Sequence, residues 1–111
     1  MLLKVIDALG SSQTIIVHGQ EAIVDHSGAL TGTGDSELLM DANATRSGWL
    51  MQNIDVTSMW VNDTGAAAVP NTIGSWEVAP GGIFPPAGFP VLTGQIHISG
   101  TNAAKYTARE W

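Results

Sequence analysis

The chain has no cysteine. That excludes disulfide bonds, thiolate nucleophiles and cysteine-held zinc or iron–sulfur centres. Positive charge is scarce as well. Lys4, Arg46, Lys105 and Arg109 are its four basic residues, set against ten acids, for a net charge of −6. So few cations cannot form the basic stripe that grips a phosphate backbone, which argues against nucleic acid as a partner. Charged residues of either sign make up only 13% of the chain. No run approaches the roughly 18 consecutive apolar residues of a membrane-spanning helix, so no membrane partner is expected. The opening MLLKVIDALG, interrupted by Lys4 and Asp7, does not read as a signal peptide. Helical periodicity is missing too. The best window, SELLMDANA, is short and leads into Thr45-Arg46-Ser47-Gly48, so it predicts one or two turns at most; AAAV at 66–69 is stopped by Pro70.

What is present is apolar material and turn chemistry. Hydrophobic residues reach 44% of 111 residues, enough for one modest core in one domain, and 13 Gly with 5 Pro favour short strands joined by turns. Strands are predicted at Thr14–His18, Ala22–Asp25, more weakly Glu37–Met40, then Trp49–Asn53, Met59–Asn62, Trp76–Val78, Val91–Thr93, Gln95–Ser99 and Lys105–Trp111. Gln95–Ser99 alternates cleanly, with Ile96 and Ile98 on one face and His97 on the other. Short strands at intervals of about ten residues predict an all-β fold, a single antiparallel β-sandwich or jelly-roll-like domain. The Gly-rich stretch 28–36 reads as a flexible connection. It divides an N-terminal arm and connection, 1–36, from a sandwich body, 37–111. Such an arm could pair with its own body or with a neighbour's edge strand.

The densest segment is RSGWLMQNIDVTSMWVNDTG, residues 46–65, which holds two of the four tryptophans. In WLMQN, Trp49 and Met51 share a face; in MWVN, Met59 and Val61 do. The five-residue connector Ile54–Ser58 suits a hairpin loop, so the expectation is a hairpin lining a core, with a ligand-stacking platform as the other reading. PGGIFPPAGFP, 80–90, reads as a rigid irregular connection tacked to the body by Phe84 and Phe89.

Candidate chemistry is thin. His18, Glu21, Asp25 and His26 lie within nine residues and can all ligate metals, but no ligand spacing is recognisable, and solvated polar positions explain them more simply. There is no G-x-S-x-G elbow, and Gly32-Thr33-Gly34 lacks the third glycine and the helix of a phosphate loop. Asp55 and Asp63 sit at opposite ends of the predicted hairpin, too separated for paired-carboxylate chemistry. Asn43-Ala44-Thr45 and Asn62-Asp63-Thr64 match the glycosylation sequon, read here as chance. No catalytic residue, cofactor or metal is expected. Trp111 places a large apolar ring where chains usually fray. It either folds back on its own sheets or enters a pocket on a partner.

The order Arg46-Ser-Gly-Trp-Leu-Met-Gln-Asn53, Met59-Trp-Val-Asn62, Val78-Ala-Pro-Gly81, Gly94-Gln-Ile-His-Ile-Ser-Gly100 and Tyr106-Thr-Ala-Arg-Glu-Trp111 resembles a group of small virion proteins of tailed bacteriophages. The resemblance implies a non-enzymatic structural protein, foremost a capsid decoration or cement protein, with a head-fibre or tail component next. It implies binding to the major capsid protein and self-association, as a homotrimer around local three-fold axes. The chain would be made in the host bacterial cytoplasm and reside on the capsid surface. Trp60, Tyr106, Arg109 and Trp111 are the residues expected to make contacts. The rival reading is a carbohydrate- or receptor-binding module that stacks sugars on exposed Trp beside Asn and Asp.

Overall fold

The computed structural model describes residues 2–6, 12–16 and 22–111, and these contain no helix. Eleven strands follow in order: β1 (Leu2–Ile6), β2 (Ser12–Ile16), β3 (Val24–Asp25), β4 (Gly28–Ala29), β5 (Glu37–Met40), β6 (Trp49–Asn53), β7 (Met59–Asn62), β8 (Trp76–Val78), β9 (Ile83–Phe84), β10 (Ile96–Ser99) and β11 (Lys105–Glu110). All pairings are antiparallel. One sheet runs β5–β10–β7–β8 and another β3–β11–β6–β9, with β4 also on β11. β1 and β2 form a separate two-stranded sheet, Leu2 opposite Ile16 and Leu3 opposite Ile15. The two larger sheets share one sandwich-like core. Trp49, Met51 and Ala108 come from one sheet, and Met59, Val61, Ile96 and Ile98 from the other.

The predicted hairpin at 49–62 is not formed. β6 pairs with β11 and β9, whereas β7 pairs with β10 and β8. Ile54–Ser58 is therefore an arch that carries the chain from one sheet to the other. The facing assignments hold: Trp49, Met51, Met59 and Val61 are all buried. Two strands with one wholly apolar face each can meet across a core as readily as lie side by side. Asn53 decides between these. It is fully buried, and its Nδ2 donates to the Thr57 carbonyl at 2.7 Å and the Val78 carbonyl at 2.9 Å, while its Oδ1 accepts from the Asp55 N–H at 2.9 Å. One side chain thus ties the arch to strands of both sheets.

Glu37–Met40 forms the strand weakly expected there, β5, and the rest of the SELLMDANA window forms no helical turn. The pairing of β5 with β10 shifts register between Ile96 and His97, so that Met40 faces Ile96 while Leu38 faces His97. Leu39 is the extra residue of a bulge, and consecutive Leu39 and Met40 are both buried where strict alternation would expose one of them. The 28–36 connection is also tied down. Gly28 and Ala29 pair with β11, Leu30 is buried in the core, and the Gly34 N–H donates to the Gly100 carbonyl at 2.8 Å. Glu37 accepts from the Thr31 N–H at 2.9 Å, closing the loop from its far end. Residues 24–36 thus pack with the body, and the remainder of the predicted arm lies in β1, β2 and outside the described residues. Val91–Thr93 is not a strand; its backbone carbonyls serve another purpose, described next.

Candidate protein-contact face

Arg46 holds the end of β11 in place. Its side chain is wholly buried and paired with Glu110, Nε to Oε2 at 2.8 Å. The remaining guanidinium donors reach three carbonyls, those of Leu92 at 2.7 Å, Gly94 at 3.0 Å and Asp41 at 2.7 Å. A planar fork can bridge three chain segments in this way; a lysine cannot. The other carboxylate oxygen of Glu110 lies 3.3 Å from His26 Nε2 and accepts from Asn43 Nδ2 at 3.4 Å. The buried His26 nitrogen is near enough to form an ion pair when protonated but lies off the hydrogen-bonding line. Burial pushes the Glu110 carboxyl upward, but the hydrogen bond from Arg46 and the proximity of Arg46 and His26 outweigh it and hold the group below its usual range.

With Glu110 fixed inward, alternation sends Arg109 outward and carries the chain to Trp111. The backbone of Trp111 is locked to the residues before β6. Its N–H donates to the Gly48 carbonyl at 3.0 Å, and its carbonyl accepts from the Ser47 and Gly48 N–H groups at 2.6 and 3.1 Å. The indole ring lies across Gly48 so closely that a Cβ there would come within 2.5 Å of Cζ2. Trp111 thus folds back on its own sheet, yet 42% of it remains exposed.

Beside that ring, the outward positions of β11, β6 and β9 form a row. Leu50 stands opposite Arg109, and Gln52 stands opposite both Thr107 and Ile83. Leu50 is 44% and Ile83 58% exposed. A shallow cavity of about 280 Å³ is lined by Leu50, Gln52, Ile83, Thr107, Arg109 and Trp111. A wider basin of about 510 Å³ shares Leu50, Ile83 and Trp111 and extends over Pro85, Pro86 and Val91. Neither lining contains an Asp or Glu side chain, on a chain with ten. The basin floor is stiffened by an aromatic cluster: Phe84 lies 5.7 Å from Trp49, 5.9 Å from Trp76 and 5.6 Å from Phe89 between ring centroids. The 80–90 segment is thus tacked down by both phenylalanines, as its composition implies.

No family model matches the chain, and no curated protein or solved structure matches it either.

Of the four residues expected to make contacts, Arg109 and Trp111 come together on this face. Trp60 does not join them: it is half-buried on the other sheet, opposite Glu77 and Ser99. Tyr106 packs half-buried against the core, its hydroxyl raised above its ordinary value by burial and by the nearby Glu37 charge. Sequence reasoning missed Leu50 and Ile83. Leu50 carried a signal, as the apolar residue on the mixed face of WLMQN; Ile83, inside a Gly-Pro segment, carried none.

The polar candidates are committed locally. Asp25 Oδ1 accepts from the Ser27 N–H at 3.0 Å and its hydroxyl at 2.6 Å, which lowers the Asp25 carboxyl, while Asp55 is lowered by backbone N–H groups of Val56 and Lys105. Both sequons have a structural reading. Asn43 Oδ1 accepts from Thr45 N–H and Oγ1–H, and Asn62 Oδ1 does the same with Thr64, the geometry of an Asx turn. His18 and Glu21 lie outside the described residues; among the described residues no three His, Asp or Glu side chains gather.

Proposed function

We propose that the protein is a non-enzymatic structural protein of a tailed-phage virion, decorating the capsid surface and binding the major capsid protein through the β9–β6–β11 face. The observation that carries this reading is the exposure of Leu50, Ile83 and Trp111 together around two cavities whose linings hold no Asp or Glu side chain, on an acidic chain. Half-exposed apolar groups on a rigid sheet, rimmed by Thr107, Gln52 and Arg109, have the make-up of an interface core with a polar edge. An aromatic anchor beside a single arginine is the combination that most often dominates interface energy. The resemblance to small virion proteins supplies the setting. The test is thermal: capsids without the protein should disrupt at lower temperature than capsids carrying it, and the Ile83→Asp variant should fail to restore the difference. Capsids of equal stability with and without the protein sink the proposal.

The carbohydrate-binding alternative has less support. A sugar site needs several convergent polar groups around its aromatic platform. Asn53, Asn62, Asp25 and Asp55 are instead hydrogen-bonded to backbone and side-chain groups of the fold itself. Saturable binding on a glycan array, lost in Trp60→Ala, would reverse this ranking.

A further inference from the structure

We propose that the loop carrying Ile73 on one copy seats in the cavity between Leu50, Ile83 and Trp111 on a second copy. The inference rests on reading the β9–β6–β11 face as a protein-contact surface and adds which segment enters it. The sequence around Ile73 is Val69-Pro-Asn-Thr-Ile-Gly-Ser-Trp76. It folds as a closed loop held by its own hydrogen bonds. The Val69 N–H donates to Ser75 Oγ at 2.9 Å, the Ser75 N–H to the Thr72 carbonyl at 3.1 Å, and Thr72 Oγ1 to the Pro70 carbonyl at 3.0 Å. Asn71 at φ 55° and Gly74 at φ 100° turn the chain on either side of the tip. Both feet are anchored. The Ala68 N–H donates to Ser36 Oγ at 2.9 Å, Asn62 Nδ2 donates to the Ala67 carbonyl at 3.2 Å, and Trp76 is the first residue of β8. At the tip Ile73 is wholly in solvent, and Val69 and Trp76 at the loop's two ends are 42% and 48% exposed. An isoleucine held in water by a preshaped loop is a preorganised apolar knob, whose seating orders little further chain.

Charge favours a second copy as the bearer of the socket. Copies of a chain at −6 repel wherever their carboxylates meet. Residues 64–76 carry no charge. The cavity lining has no Asp or Glu side chain and one cation, Arg109. Loop and cavity can therefore meet without like-charge repulsion. The first charge after the loop is the exposed Glu77, which supplies a carboxylate for Arg109 of the other copy at the rim. On its own sheet Arg109 stands opposite Asp25, whose Oδ1 is taken by Ser27, and among the described residues Arg109 forms no ion pair. The cavity, about 280 Å³, is ample for one isoleucine side chain. The contact joins two different surfaces, so it is heterologous and closes either as a ring or as a reciprocal pair.

Because the chain has no cysteine, single introduced thiols report the contact. Full-length Ile73→Cys and Ile83→Cys chains are prepared separately, mixed and treated with a short bis-maleimide. Seating of the loop predicts a covalent heterodimer on a denaturing gel, at several times the yield from either variant alone. The wild type should sediment as an oligomer. Ile73→Asp should sediment as a monomer and keep the wild-type far-ultraviolet circular dichroism, since the side chain it replaces is wholly exposed. A monomeric wild type overturns the proposal, as does an Ile73→Asp variant that still associates. So do homodimers from Ile83→Cys or Ile73→Cys alone in the yield of the mixture, which would mean that like surfaces meet. Capsid stabilisation is read separately: a monomeric wild type that still protects capsids sinks the contact between copies and leaves the capsid reading standing. A wild type that associates through Ile73 without protecting capsids does the reverse.

Discussion

Arg46 and Glu110 stand about 64 positions apart in sequence and form one buried unit, joined at 2.8 Å. Removing one partner leaves the other's buried charge without its main counter-charge, a change that costs about 3–5 kcal/mol. Arg46→Ala should therefore lower the urea midpoint sharply, and Arg46→Lys should recover little, because the carbonyls of Leu92, Gly94 and Asp41 need the fork. The pH dependence has a definite sign. The folded Glu110 carboxyl lies below its ordinary 4.5, so the folded state binds its proton less readily than the unfolded chain. Its contribution is full above that ordinary value and is lost as pH falls through the folded one. Stability measured from pH 6 downward should thus fall with a slope that Glu110→Gln reduces. Gly48 offers a second test at this scale. Gly48→Ala puts a Cβ into the Trp111 ring. The ring can swing outward, so the expected result is a displaced indole N–H resonance, one of four, with the unfolding temperature changed little. A global loss of folding would show the ring has no room to move.

At the scale of elements, alternation was a sound guide to faces and a poor one to neighbours. It placed Trp49, Met51, Met59, Val61, Ile96 and Ile98 inward, and all six are buried. It could not tell pairing within a sheet from packing between sheets, because both bury the same side chains. The deciding contacts were long-range: Asn53 to Val78, and β6 to a strand that begins at Lys105. The bulge at Leu39 was illegible for a similar reason, since a register shift exists only relative to a partner strand. These considerations yield a prediction for the arch. Asn53→Ala removes hydrogen bonds from the buried Val78 carbonyl and the part-buried Thr57 carbonyl and should cost about 2 kcal/mol in denaturant unfolding. Asn53→Asp should be no better, because a carboxylate cannot donate to the Thr57 and Val78 carbonyls. Rescue by aspartate would mean that the Asp55 N–H bond carries the arch instead.

For the whole molecule, composition suggested apolar residues left on the surface, and the fold shows which of them lie together. Low charge and four tryptophans were visible; the joining of Leu50, Ile83 and Trp111 required three strands and a folded-back ring. Trp60 lies half-buried on the other sheet, a placement that alternation along one strand does not give. The chemistry of the face makes a further prediction for the proposed capsid contact. With Arg109 as its one cation and no Asp or Glu side chain lining its cavities, binding should draw on apolar burial rather than on ion pairs. Exposed charges are largely screened at high salt, whereas apolar burial is not. Affinity for capsids should therefore change by less than about tenfold between roughly 50 and 500 mM salt, and binding enthalpy should become more favourable on warming, the negative heat-capacity change of buried apolar area. Ile83→Asp should remove that heat-capacity signal and Trp60→Ala should keep it. A steep salt dependence, or equal loss in both variants, would move the contact off this face and onto the acidic surface around it.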